Sequence, residues 1–143
     1  NSKLAQYFIR TFAAPRLGST FIETKIFHLL KFRIPTKTEF KDVLVNMVGY
    51  ILILKKQNQN STFFERLIDA MVYELYLPEA IQAASAEVLK YLNNLPVVEE
   101  EDKPNLKTIE KVYKELSDPQ HPLSIAMFKM DAIEEIAIIE GKK

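Results

Sequence analysis

The segment that decides the fold is residues 63–79, which read FFERLIDAMVYELYLPE. Apolar side chains recur in it at intervals of three and four residues, the spacing that places them on one face of an α-helix. They stand at positions 64, 67, 68, 71, 72 and 75. Thr62 followed by Glu65 matches a capping box at the start of such a helix, and Pro78 brings it to a stop. We therefore predict an amphipathic helix over residues 62–76.

A second helix is predicted just before this segment, over residues 38–57. Its apolar face is formed by Phe40, Val43, Leu44, Met47, Val48, Ile51 and Leu54. Because Val45, Leu52 and Ile53 extend that face nearly all round the helix, we expect it to be buried on several sides. The polar residues 57–60 form a short loop, and loops of this length usually join antiparallel neighbours. The two helices should therefore form a hairpin.

The rest of the chain also favours a mainly α fold. Three glycines occur in 143 residues, and strand-like alternation of polar and apolar side chains is weak. Further helices are predicted over residues 2–13, 78–92, 105–116 and 123–139. Because residues 20–34 and 136–139 are rich in β-branched and aromatic side chains, one or two short strands are an alternative prediction there.

Composition sets limits on the class of protein. A chain of 143 residues is the size of one domain. It contains no cysteine, so neither a disulfide framework nor a thiolate metal site can form. No apolar run reaches the roughly 18 residues of a transmembrane helix, and the polar start of the chain does not resemble a signal peptide. We expect a cytoplasmic protein, and a chain that begins at Asn1 rather than methionine indicates a fragment of a longer polypeptide.

The net charge of zero conceals an uneven distribution. Residues 1–57 hold ten lysines and arginines against three acidic residues, a net charge of +7. Residues 58–143 hold nine basic against sixteen acidic residues, a net charge of −7. A polyanion such as DNA would therefore be attracted by the first part and repelled by the second. Uneven surface charge also occurs without any function, so this observation alone leaves the partner open.

A long helix ending in two lysines, a short polar loop and the motif IDxxVYELY at residues 68–76 together resemble the C-terminal end of adenine-specific DNA methyltransferases. The chain is more closely similar to type II restriction–modification enzymes, in which one polypeptide carries both the methylase and the target-recognition domain. The resemblance covers about residues 40–81 well and the flanks more loosely.

The resemblance, together with composition, implies a division of the chain and a set of partners. The segments are the end of a target-recognition region at 1–36, a helical domain at 37–97, an acidic linker at 98–104 and a C-terminal helical segment at 105–143. The implied partners are double-stranded DNA and the upstream methyltransferase and recognition domains of the same polypeptide. The basic residues that would contact DNA phosphates are Arg16, Lys25, Lys31 and Arg33.

No catalytic set accompanies this resemblance. Methylation of adenine requires a glycine-bearing turn for the cofactor and an Asn/Asp-Pro-Pro-Tyr/Phe loop for the flipped base, and the sequence contains neither. It also has no P-loop, no histidine pair with metal-ligand spacing and no nuclease motif. We therefore expect no catalytic, cofactor-binding or metal-binding residue in this chain. S-adenosylmethionine is implied for the parent enzyme, bound outside the chain.

The polar and aromatic residues of the 62–76 helix are the remaining candidates for a site. Asp69 and Glu74 are candidate acids, and Tyr73 and Tyr76 could stack on a nucleobase. For Asp69 we favour pairing with a base or a helix end. For both tyrosines we favour packing at the edge of the core.

Two hypotheses follow for the function. The leading hypothesis is a non-catalytic C-terminal fragment of a DNA restriction–modification enzyme of the adenine-N6 methyltransferase type, which supports target-DNA recognition. The alternative is a helical protein–protein interaction module unrelated to DNA, in which the hairpin and the acidic C-terminal part form a docking surface. An upstream reading frame that encodes the missing catalytic motifs would favour the first hypothesis.

Overall fold

Seven α-helices and one 3-10 helix make up the parts of the chain that the computed structural model describes, residues 2–12, 38–98 and 104–142. The helices are α1 (Lys3–Phe12), α2 (Thr38–Lys56), α3 (Thr62–Tyr76), α4 (Pro78–Ala83), the 3-10 helix (Leu89–Tyr91), α5 (Pro104–Leu116), α6 (Pro122–Asp131) and α7 (Glu134–Ile139). No strand occurs within these parts, so the predicted mainly helical fold is confirmed. Residues 136–139, for which a short strand was the alternative prediction, lie in α7. Residues 20–34 lie outside the described residues.

The predicted hairpin is formed by α2 and α3, and α3 lies between α1, α2 and α4. The turn passes through Asn58, which has a positive φ of 53°. The amide of Gln59 donates a hydrogen bond of 2.8 Å back to the carbonyl of Leu54. These are the features of a Schellman motif, and asparagine tolerates the left-handed conformation that the motif requires. The loop therefore ends α2 abruptly and reverses the chain.

The start of α3 differs in its capping from the sequence-based prediction. The N-cap is Ser61, whose hydroxyl donates to the Glu65 carboxylate at 2.8 Å. Thr62 is already helical, and its backbone amide donates to the side-chain oxygen of Asn60 at 2.8 Å. The predicted capping box of Thr62 and Glu65 is therefore wrong. The buried Ser61 takes the N-cap position, and Asn60 satisfies the first free amide of the helix.

The helix predicted over residues 78–92 is shorter in the structure. It ends as α4 because Ser85 adopts a positive φ of 51°. The amide of Ala86 then bonds to the carbonyl of Ile81 at 3.0 Å, which again is the pattern of a Schellman motif. Residues 86–88, which have no regular secondary structure, lead to the 3-10 helix.

The helix predicted over residues 123–139 is divided into α6 and α7. Ile133 separates them with an extended backbone, at φ −71° and ψ 128°. Its side chain is buried and joins the hydrophobic core. The change of direction lets α6 and α7 pack against each other while Met130 and Ile136 both remain buried.

One hydrophobic core runs through the described residues. It includes buried side chains from α2 to α4 and from α5 to α7, so the segments on both sides of the predicted acidic linker contribute to it. Leu67 and Met71 of α3 are fully buried. Tyr50 of α2, which the predicted core face omitted, is also fully buried. Its ring meets Phe64 edge to face at a centroid distance of 5.3 Å.

One face of α2 lies outside this core. Val45, Val48 and Leu52 are 63%, 41% and 51% exposed, so the expectation that α2 is buried on several sides is wrong. The three residues have the three- and four-residue spacing of a single helix face. We call them the α2 apolar stripe.

Candidate functional site

Four polar side chains of α3 contact segments that are far away in the sequence. They are Arg66, Asp69, Tyr73 and Glu74, and we call them the α3 polar set. Their partners lie at the start of α1, at the start of the 3-10 helix, at the end of α6 and just after α7. The set therefore joins α3 to four separate parts of the chain. It includes both candidate acids from the sequence and one of the two candidate tyrosines.

Asp69 binds the beginning of α1. Its Oδ1 accepts a hydrogen bond of 2.9 Å from the backbone amide of Lys3, the first residue of that helix. The first amides of a helix lack partners within the helix, and negative charge near them is favourable. Burial raises the pKa of Asp69, and the hydrogen bond from Lys3 opposes part of that rise. The prediction that Asp69 pairs with a base or a helix end agrees with this contact.

Tyr73 and Glu140 form the second contact. Tyr73 is 2% exposed, and its hydroxyl donates to Glu140 Oε1 at 3.3 Å. The Glu140 carboxylate also binds the ammonium groups of Lys3 and Lys142, at 3.0 and 2.6 Å. Burial, and then the neighbouring carboxylates, raise the pKa of Tyr73. Burial alone would raise the pKa of Glu140, but the hydrogen bonds from Lys142 and Lys3 outweigh it and lower that pKa below its ordinary value.

Glu74 holds the segment that follows α4. Its Oε2 accepts hydrogen bonds of 2.7 and 2.9 Å from the backbone amides of Val88 and Leu89, at the start of the 3-10 helix. Val88 is fully buried, so its amide has no access to water as an alternative partner. A residue that the sequence offered as a candidate acid is therefore an anchor for the backbone.

Arg66 makes the outermost of the four contacts. Its guanidinium donates to Asp131 Oδ2 at 3.2 Å, at the last residue of α6. Lys142 approaches the other oxygen of Asp131 at 3.6 Å. Both Arg66 and Asp131 are more than a third exposed, and exposed ion pairs contribute at most about 1 kcal/mol. This contact therefore adds less stability than the more buried ones.

The surroundings of Asp69 and Tyr73 leave no room for a substrate. The cavity beside Asp69 and Tyr73 has a volume of about 20 Å³, which is enough for about one water molecule. Across the part of the chain that the structure describes, no group of three or more histidine or acidic residues could hold a metal ion. The arrangement holds segments of the chain together, and a catalytic role for Asp69 or Glu74 finds no support in it.

The residues expected to contact DNA are not among those that the structure describes. Arg16, Lys25, Lys31 and Arg33 all fall between residues 12 and 38. The lysine pair at the end of α2 is exposed, and Lys55 binds Glu65 at 2.8 Å. Sequence analysis did not find Lys3, Glu140 and Lys142, which form ion pairs beside Asp69 and Tyr73. No local pattern marks them, because Lys3 and Glu140 are 137 residues apart.

Searches of protein-family models, curated proteins and solved structures return no match. Within residues 2–12, 38–98 and 104–142, no helix combines the length and the apolar character needed to cross a bilayer.

Replacing Glu140 by glutamine should lower the free energy of unfolding by about 1 kcal/mol at pH 7, because hydrogen bonds from lysine to a charged acceptor are lost. The pKa of Glu140 is lowered in the folded protein. Its stabilising effect is therefore present above the unfolded-state pKa and is lost as the pH falls through the folded-state value. Urea unfolding at pH 7 and at successively lower pH should show the difference from the wild type shrinking.

A matched variant controls for the loss of one carboxylate. Glu135 is exposed in α7, so Glu135→Gln should leave stability unchanged. A difference between wild type and Glu140→Gln that stays constant as the solution is acidified would contradict the role of the Glu140 charge.

Proposed function

We propose that this chain is the non-catalytic C-terminal part of a DNA restriction–modification enzyme of the adenine-N6 methyltransferase type. In this proposal the described helices brace the target-recognition region, and the chemistry takes place elsewhere in the parent enzyme. One observation carries the proposal. The motif that bears the resemblance contains Asp69, Tyr73 and Glu74, and each of these side chains fixes a distant segment of the chain. A bracing element requires side chains with that role.

The parent enzyme would bind S-adenosylmethionine, flip an adenine out of the duplex and methylate its exocyclic amine. These steps would belong to the upstream methyltransferase domain. The upstream recognition domain and residues 1–36 would hold the duplex, with Arg16, Lys25, Lys31 and Arg33 against phosphates, which position a protein on DNA. The bracing helices would keep the recognition region in a fixed position, because small errors in positioning greatly reduce catalytic rates.

Binding of this chain to duplex DNA should be weak, independent of sequence and dependent on the basic residues near its N-terminus. Replacing Lys25, Lys31 and Arg33 by alanine removes three of the proposed phosphate contacts. Each lost contact should reduce the slope of log K against log salt concentration by about 0.9. Fluorescence anisotropy of a labelled duplex over a range of salt concentrations measures that slope.

A charge-matched variant separates phosphate contact from bulk charge. Lys107, Lys111 and Lys114 are exposed on α5, and replacing them by alanine removes the same charge from the net-acidic part of the chain. Loss of positive charge weakens attraction to DNA in both variants. A larger loss in the Lys25, Lys31 and Arg33 variant would therefore indicate phosphate contacts at those positions. Equal losses of affinity, and equal reductions of the slope of log K against log salt concentration, would show that the uneven charge has no role in DNA binding. That result would contradict the proposed contact of residues 16–33 with DNA.

The alternative function, a helical module for protein–protein interaction, is favoured by the α2 apolar stripe. Val45, Val48 and Leu52 present neighbouring apolar surface on one exposed helix face, and contiguous exposed apolar patches mark interaction sites. The two functions differ in their expected behaviour toward DNA. For an interaction module, the two triple substitutions should weaken duplex binding equally, because only the bulk charge of the chain changes.

A further inference from the structure

An open cavity of about 420 Å³ lies between the end of α2, the loop over residues 57–61, the start of α3 and the middle of α5. We call it the α2–α5 cavity. Its volume falls within the range of roughly 300–1,000 Å³ that is typical of small-molecule sites. It is far larger than the cavity beside Asp69 and Tyr73, and the bracing contacts of those two residues do not explain it.

Aromatic rings line part of the α2–α5 cavity. Phe63 and Tyr113 meet edge to face, with ring centroids 5.2 Å apart and ring planes at 89°. Phe63 meets Phe64 in a similar arrangement at 5.4 Å. Phe64 is 1% exposed and anchors this cluster in the core, whereas Tyr113 is 46% exposed. The cavity therefore holds a large aromatic ring in a fixed position with part of its surface uncovered.

Hydrogen-bonding side chains complete the lining, namely those of Gln59, Asn60, Thr62, Arg66 and Glu110. All five residues are exposed. Asn60 uses its side-chain oxygen to accept from the amide of Thr62, which orients the NH₂ group of the same side chain. The cavity thus offers amide donors and a carboxylate acceptor beside an aromatic surface.

We propose that the α2–α5 cavity binds a nucleobase with an exocyclic amine, such as adenine or cytosine. The planar ring stacks on the uncovered surface of Tyr113, as bases stack on aromatic side chains in proteins that bind single strands. Glu110 accepts a hydrogen bond from the exocyclic amine, and the amides of Gln59 and Asn60 donate to ring nitrogens. The choice of a nucleobase among planar heterocycles rests on the proposed function, whereas the cavity and its lining do not.

Titration of the 143-residue chain with adenosine, followed by NMR, tests this site. Saturable binding with chemical-shift changes at Gln59, Asn60 and Tyr113 is expected. Tyr113→Ala should weaken binding about tenfold, and Tyr113→Phe should retain it because the ring remains. Phe128→Ala is the matched control. Phe128 is 78% exposed on α6 and does not line the cavity, so its removal should leave adenosine binding unchanged.

A second pair of variants tests the polar contact. Glu110→Gln should weaken adenosine binding several-fold, because a charged acceptor forms the stronger hydrogen bond. Glu115→Gln, at an exposed position of the same helix, should have no effect. Thymidine, whose base lacks an exocyclic amine, should bind more weakly than adenosine to the unmodified chain, and this difference should shrink in the Glu110→Gln variant.

Two further ligands distinguish the source of the base. If a single-stranded oligodeoxyadenylate binds more tightly than adenosine and depends on Tyr113, the natural ligand is a base in DNA. If the oligodeoxyadenylate binds no more tightly than adenosine, the natural ligand is a free nucleoside or nucleotide. Both results support the site. Absence of saturable adenosine binding at millimolar concentration, or binding that Tyr113→Ala and Phe128→Ala reduce equally, would overturn it.

Folding and the proposed function are controlled separately. Circular dichroism checks that each variant keeps its helical fold. If Tyr113→Ala does not fold, the residues of the unmodified chain whose NMR signals shift show whether adenosine binds in the α2–α5 cavity. Shifts that fall away from the α2–α5 cavity would then overturn the site. The salt dependence of duplex binding reports on phosphate contacts near the N-terminus, so failure of that experiment and failure of adenosine binding can be told apart.

Discussion

Replacing Leu67 or Met71 by alanine is expected to lower the free energy of unfolding by roughly 2–5 kcal/mol. Both side chains are fully buried in the stripe by which α3 packs on the core. Truncation loses their burial and leaves a cavity that the neighbouring helices can fill only in part. Urea unfolding followed by circular dichroism measures the change.

Leu52→Ala is the matched control for Leu67→Ala. Leu52 belongs to the α2 apolar stripe and is 51% exposed, so the same substitution should cost less than about 0.5 kcal/mol there. Comparable losses at Leu52 and Leu67 would mean that the core does not lie where the structure has it. A loss below about 0.5 kcal/mol at both Leu67 and Met71 would have the same meaning.

Glu74→Ala should have the largest effect among changes to the α3 polar set, roughly 2–4 kcal/mol. The substitution removes the acceptor of two backbone amides, those of Val88 and Leu89. An amide in a buried segment that loses its partner retains the full cost of desolvation. Thermal or urea unfolding measures the loss, and hydrogen exchange should become faster at these two amides.

Two variants define what the Glu74 result means. Glu74→Gln keeps an acceptor oxygen in nearly the same place, so it should recover much of the lost stability. Glu115→Ala removes a carboxylate from an exposed position of α5 and should change stability by less than about 0.5 kcal/mol. If Glu74→Ala were no more destabilising than Glu115→Ala, Glu74 would not anchor the 3-10 helix.

The hairpin of α2 and α3 could be predicted because its signals are local. Apolar spacing along each helix and the polar loop between them decide which faces meet. Helix ends were harder to predict. Ser85 adopts a left-handed conformation that usually marks glycine or asparagine, and Ile133 interrupts a helical pattern in order to bury its side chain. In both places tertiary packing overrides local preference.

The contacts of the α3 polar set could not be predicted from the sequence. Its polar positions stand out beside the apolar stripe of α3, but nothing in α3 identifies the segments that approach them. Tyr73 and Glu140 are 67 residues apart, and Asp69 and Lys3 are 66 residues apart. Contacts of this kind depend on how α1 packs on α3 and α7 on α1, which only the complete fold determines.

Sequencing the coding region upstream of the codon for Asn1 tests most directly whether the chain is the non-catalytic part of an adenine methyltransferase. The proposed function predicts a continuous reading frame that encodes an Asn/Asp-Pro-Pro-Tyr/Phe motif and a glycine-bearing turn for S-adenosylmethionine. A start codon immediately before Asn1, or a continuous frame that lacks both motifs, would contradict it.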